Sequence, residues 1–189
     1  VILHTNLGRA PLSPEASKAA FEAAHGYTDL ELNISTGKRG SRQSHVGSLL
    51  SHLTGCESAL AVNNNASAVL LALAAIADGK EVIVSRGEAV EIGGGFRIPD
   101  IMSRSGAKLV EVGTTNRTYI ADYENAITDN TAVILKVHSS NFRVSGFIHT
   151  TPIEELATLG QKHRIPVLHD LGSGCLLDTE QFGLAVSYT

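Results

Sequence analysis

A chain of 189 residues carrying 15 Lys and Arg against 19 Asp and Glu has a net charge of −4 at pH 7, and 43% of it is hydrophobic. That length fits one domain or slightly more, and the composition supplies a core while excluding a disordered or collagen-like chain. No apolar run approaches the roughly 20 residues that span a bilayer, the longest being the dozen at 66–77, and mild acidity gives no global signal for nucleic acid. Two cysteines, Cys56 and Cys175, argue against a disulfide framework and suit a reducing cytoplasm. The opening residues Val1-Ile2-Leu3-His4 read as a strand rather than a signal peptide, and the last residues form neither a cap nor a polar tail. On this reading the chain is a piece of a longer protein.

Taken in order, residues 1–5 read as extended and lead into a turn that ends at Pro11. A helix is predicted over 13–24, with Ser13 as N-cap, Pro14 at the first position and Glu15 in the first turn. A Gly/Ser/basic loop at 35–42 precedes a second helix at about 45–53, for which Gly55 is the stop. A β/α alternation follows. Strands are predicted at 59–62, 81–85, 108–112, 131–137 and 165–169. Helices are predicted at 66–77, in part of 94–105, at 121–127, and at 152–163 with Thr151 as cap. Short, continuously apolar strands alternating with helices predict a mostly parallel sheet covered on both faces, a three-layer α/β sandwich. The chain divides on this reading into an N-terminal segment, 1–58, and a β/α region, 59–189.

In such sheets the chemistry sits just past the carboxyl ends of the strands. After 59–62 comes Asn63-Asn64-Asn65-Ala66-Ser67 at a helix start, which reads either as an anion site, typically for phosphate, or as a plain N-cap. After 81–85 comes Arg86-Gly87-Glu88, with Arg86 at a strand exit suited to a carboxylate or phosphate. Glu88, Glu91 and Arg97 read equally as surface charges of a flexible loop. His138 follows 131–137, and Asp170 closes the last strand. Asp170 is either an N-cap for the next segment or a buried acid that needs a cationic partner, such as a protonated heterocyclic nitrogen. Neither a dinucleotide fingerprint nor a Walker loop occurs, and no metal-ligand spacing is present.

The strings His4-Thr5-Asn6-Leu7-Gly8-Arg9-Ala10-Pro11, Thr36-Gly37-Lys38-Arg39-Gly40-Ser41-Arg42, Val62-Asn63-Asn64-Asn65-Ala66, Ser85-Arg86-Gly87-Glu88, Phe96-Arg97-Ile98-Pro99-Asp100, Val112-Gly113-Thr114-Thr115-Asn116-Arg117 and Asp170-Leu171-Gly172-Ser173-Gly174 run in order over essentially the whole chain. Together they resemble the bacterial selenocysteine synthases, L-seryl-tRNA(Sec) selenium transferases of the fold-type I pyridoxal-phosphate (PLP) enzymes. The resemblance implies the aspartate aminotransferase-like large domain, incomplete at the C-terminus, with 59–189 as part of its PLP-binding region. It implies conversion of seryl-tRNA(Sec) to selenocysteinyl-tRNA(Sec) with selenophosphate, in a cytoplasmic homo-decamer. It places Asn64, Asn65 and Ala66 at the cofactor's phosphate, Asp170 at its ring nitrogen, His138 and Ser173 along its pocket, and Arg86 at an oxyanion of the selenium donor or a neighbouring phosphate. Lys38, Arg39 and Arg42 are then candidates for tRNA or substrate phosphate.

The family's Schiff-base lysine belongs to a Ser-Gly-Asp-Lys-Leu-type string. None of the six lysines, Lys18, Lys38, Lys80, Lys108, Lys136 and Lys162, sits in one. The resemblance thus implies that the lysine lies beyond Thr189 and that this piece alone is inactive. Two further readings stand beside it: a paralogous PLP-dependent lyase acting on a small amino acid, and a folding or oligomerisation module without activity.

Overall fold

The computed structural model describes residues 7–8, 10–92, 95–139 and 142–172, with the backbone alone at 92 and 96. The expected extended run at 1–5 lies outside them. The chain forms two compact units, Val1–Leu60 and Ala61–Thr189.

In the first unit, helix α1 (Pro14–His25) begins as the sequence dictates. Ser13 Oγ accepts from the Ala16 N–H at 3.2 Å, and Pro14 occupies the first turn, where its missing N–H costs nothing. Strands β1 (Leu32–Asn33) and β2 (Lys38–Arg39) pair antiparallel across a turn in which Gly37 takes φ +63°. The helix expected at 45–53 is α2 (Gly47–Thr54). Its first predicted residue falls instead in a 3₁₀ turn, Arg42–His45, because Ser41 Oγ caps the Gln43 N–H and tightens the backbone there. Gly55 ends α2 in the left-handed conformation, φ +71°, and its N–H meets the Ser51 carbonyl.

The second unit carries the sheet. Helix α3 (Asn65–Ala77) leads to β3 (Glu81–Ser85). A two-stranded ribbon follows, β4 (Glu91–Ile92) with β5 (Phe96–Arg97), then α4 (Ile98–Ser105), β6 (Lys108–Val112), α5 (Ile120–Ala126), β7 (Thr131–Val137), α6 (Ile153–His163) and β8 (Val167–Asp170). The strands β6, β3, β7 and β8 lie in that order, all parallel. Alternation along the strands separates two cores. Val82, Val84, Val133 and Leu135 meet Val69 and Leu73 of α3 and Met102 of α4 on one face. Ile83 and Ile134 meet Tyr123 of α5 and Leu156 of α6 on the other. This is the expected three-layer α/β arrangement, with a strand side chain on each face at every second position.

Two expectations are corrected. Residues 59–62 are irregular, with Leu60 56% and Val62 39% exposed. A strand exists only within a ladder, and an apolar run does not supply its own neighbour. Helix α4, by contrast, falls within 94–105 as expected, starting at Ile98 with Pro99 in its first turn, after the β4–β5 ribbon. Thr151 does not cap α6, whose N-cap is Pro152. The Thr151 hydroxyl, 1% exposed, donates instead to the Thr118 carbonyl at 2.9 Å.

Candidate active site

The carboxyl edge of the sheet brings together two residues 105 positions apart. Asn64 is the N-cap of α3, its Oδ1 accepting from the Ser67 N–H at 2.8 Å. The next side chain, Asn65, is not used for capping. Its Nδ2 donates to Asp170 Oδ1 at 2.7 Å, and the Gly172 N–H reaches the same oxygen at 3.3 Å. Asp170 is 4% exposed, and its other oxygen, Oδ2, has no hydrogen-bond partner among the described residues. A buried carboxylate oxygen left bare is costly unless a donor meets it, so the arrangement fits a ligand bearing a cationic N–H. Ala66 begins the turn beside these residues, where the first N–H groups of α3 and the helix dipole suit an anion.

His138 stands at the adjoining strand exit, its backbone N–H donating to the Asp170 carbonyl at 2.9 Å. It lines a cleft of about 440 Å³ with Glu88, Arg117, Lys136, Arg143 and His169. Beneath that cleft is a pair that sequence reasoning missed. Glu88, 5% exposed, holds Lys136 Nζ with one oxygen at 2.5 Å and accepts the Val137 N–H with the other at 3.0 Å. Lys136 also donates to the Thr151 carbonyl at 3.0 Å. Glu88 is therefore no surface charge. The available signal was a lysine inside an otherwise apolar strand, which demands a partner when both faces of the sheet are covered. Burial, reinforced by the nearby Lys136 and His138, pushes the His169 imidazole below its ordinary pKa.

The remaining candidates have partners of their own. Arg86 is half-exposed, with Nη1 donating to the Gly113 carbonyl at 3.0 Å and Nε 3.9 Å from Glu111. Glu91 and Arg97 pair across the β4–β5 ribbon at 2.6 Å on the surface. In the first unit, Glu31 clamps two of the three loop cations: Arg39 at 2.8 Å with one oxygen and Arg42 with the other, leaving Lys38 outside the clamp. Ser173 lies outside the described residues. Among the described residues no three His, Cys, Asp or Glu side chains gather as metal ligands, and no helix is long and apolar enough to cross a membrane.

Comparison with known proteins bears on the same residues. The sequence description of the family "L-seryl-tRNA selenium transferase" matches residues 1–189. The L-seryl-tRNA(Sec) selenium transferase of Alkaliphilus metalliredigens (strain QYMF) is 59% identical over 185 residues, covering 98% of this chain and 40% of its own length. The chain thus spans about 40% of that relative. Among solved structures, D-glucosaminate-6-phosphate ammonia-lyase superposes with a TM-score of 0.69 at 24% identity, covering 87% of this chain and 45% of that one. The aminotransferase from Psychrobacter cryohalolentis gives 0.55 at 20% identity, covering 84% and 37%. Both likenesses show the fold, that of the PLP-dependent aminotransferase-like proteins. With the family description matched from end to end, the chain belongs to the L-seryl-tRNA selenium transferase family.

Proposed function

We propose that this chain is the part of a longer L-seryl-tRNA(Sec) selenium transferase that holds PLP and one wall of its substrate site. The observation that carries the proposal is Asp170: a buried carboxylate at a strand end, one oxygen pinned by Asn65 and the other bare. PLP fits these residues. Asp170 Oδ2 would take its ring N–H, the α3 N-terminus at Asn64, Asn65 and Ala66 would hold its phosphate through backbone N–H groups, and His138, with Ser173, would line its pocket.

When bound, that group supplies an electron sink at the α-carbon of the esterified serine, which lets the β-hydroxyl leave and selenium from selenophosphate take its place. The chain's own work is positioning. Asp170 keeps the proton on the ring nitrogen. The His138 N–H ties β7 to the end of β8 and so holds Asp170 at the edge. The Glu88–Lys136 pair makes an electrically balanced floor under the cleft. Arg86 faces solvent with half its side chain, in reach of an oxyanion once Glu111 is displaced. Lys38, Arg39 and Arg42 meet phosphate of the tRNA. The 59% identity to a named transferase, against 24% to an ammonia-lyase, favours the tRNA substrate over a small amino acid. The family's lysine-bearing string is absent from this sequence, so the 189 residues alone transfer no selenium. A cytoplasmic homo-decamer is part of the same proposal.

The test is Asp170→Asn in the longer protein. An amide cannot keep the ring nitrogen protonated, and loss of a charged hydrogen bond at the reacting system predicts turnover lower by about 10- to 100-fold, with an unchanged circular dichroism spectrum. Turnover close to that of the unaltered protein removes Asp170 from the site.

A further inference from the structure

Asn64 and Asn65 are chemically identical neighbours with different work. The carboxamide oxygen of Asn64 is committed to the Ser67 N–H, which completes the first turn of α3. The carboxamide of Asn65 leaves the helix and reaches the last residue of β8. A carboxylate has two equivalent oxygens, and its terminal torsion is broad and two-fold, so packing alone does not choose which oxygen faces a ligand. Here the choice is made by donors. Asn65 Nδ2 at 2.7 Å and the Gly172 N–H at 3.3 Å both fall on Oδ1, while Oδ2 is buried and meets no donor among the described residues.

We infer that Asn65 is a positioning residue for the cofactor's ring nitrogen. Its side chain acts through Asp170, pinning Oδ1 so that Oδ2 alone is presented, and it makes no contact with the phosphate. This rests on the PLP reading and deepens it. The phosphate end keeps the backbone N–H groups of the α3 N-terminus, which any residue at position 65 other than proline retains. The Asn65 carboxamide therefore belongs to the opposite end of the cofactor.

That division gives a test by dissection of the ligand. The apo form of the longer protein is titrated with PLP, with pyridoxal, which lacks the phosphate, and with the PLP analogue in which a C–H replaces the ring nitrogen. In Asn65→Ala the affinities for PLP and pyridoxal fall by the same factor, about 10- to 100-fold for one lost hydrogen bond to a charged group. The affinity for the analogue, which offers Asp170 no N–H, stays within about twofold of the unaltered protein. Asn65→Asp guards against a fold effect, since it keeps the shape and suits a helix N-terminus but replaces the donor with a carboxylate. It loses ring-dependent affinity at least as strongly. A loss confined to PLP, with pyridoxal unaffected, makes the side chain a phosphate ligand and overturns the inference while leaving PLP binding intact. Unchanged affinity for all three ligands in both variants also overturns it. Failure of the unaltered protein to bind PLP overturns the cofactor reading and this inference together.

Discussion

Glu88 shows how one buried side chain organises the carboxyl edge. It follows β3 by three residues yet is bound to β7, through Lys136 Nζ and the Val137 N–H. With side-chain exposures of 7% and 15%, neither charge is stabilised by water, and each depends on the other. Among the described residues, Glu88→Ala leaves Lys136 with only the Thr151 carbonyl and leaves the Val137 N–H without its carboxylate. The expected cost is about 3–5 kcal/mol, read as a lower urea midpoint. Replacing both partners by methionine removes both charges and is expected to cost less than the single change. A double variant as unstable as Glu88→Ala contradicts the pairing argument.

The elements divide the candidate chemistry. Helix α3 and strand β8 share the Asn65–Asp170 link, whereas the β1–β2 hairpin and the 3₁₀ turn after it carry the basic loop. Within that loop Glu31 neutralises much of the charge that Arg39 and Arg42 bring. These pairs are exposed, so they are weak and yield readily to a phosphate. If the loop meets tRNA in the longer protein, Glu31→Gln frees both guanidinium groups. Binding then tightens at low salt, and the dependence of log affinity on log salt steepens by about 1. Identical salt dependence in the two proteins excludes this loop from the tRNA interface.

At the scale of the molecule, the two units differ in what holds them. The central strands of the second unit, β3 and β7, have no exposed residue, and its helices pack on both faces of the sheet. Among the described residues of the first unit none is fully buried, and Phe21, Tyr27 and Ile34 stand 68%, 109% and 74% exposed. Burial of apolar surface is the main source of stability, so the first unit opens at lower cost. Limited proteolysis of the 189-residue chain should cut first within residues 7–60 and leave the 61–170 region protected. Initial cleavage within β3 or β7 contradicts this.

Local rules carried much of the architecture. The apolar strands at 81–85, 108–112 and 131–137 begin and end where the sequence places them, and Ser13, Pro14 and Gly55 bound their helices by their own chemistry. The order of motifs likewise sufficed to indicate the family. What the chain could not reveal from within were the long-range pairings. The run at 59–62 has strand composition and no strand, because a ladder needs a neighbour that composition does not specify. Thr151 looks like a cap and is drawn to Thr118 by burial. Asn64 and Asn65 are indistinguishable as letters. Only the parallel order β3-β7-β8 places Asp170 beside the start of α3, so that one amide closes a helix turn and the other aims a carboxylate.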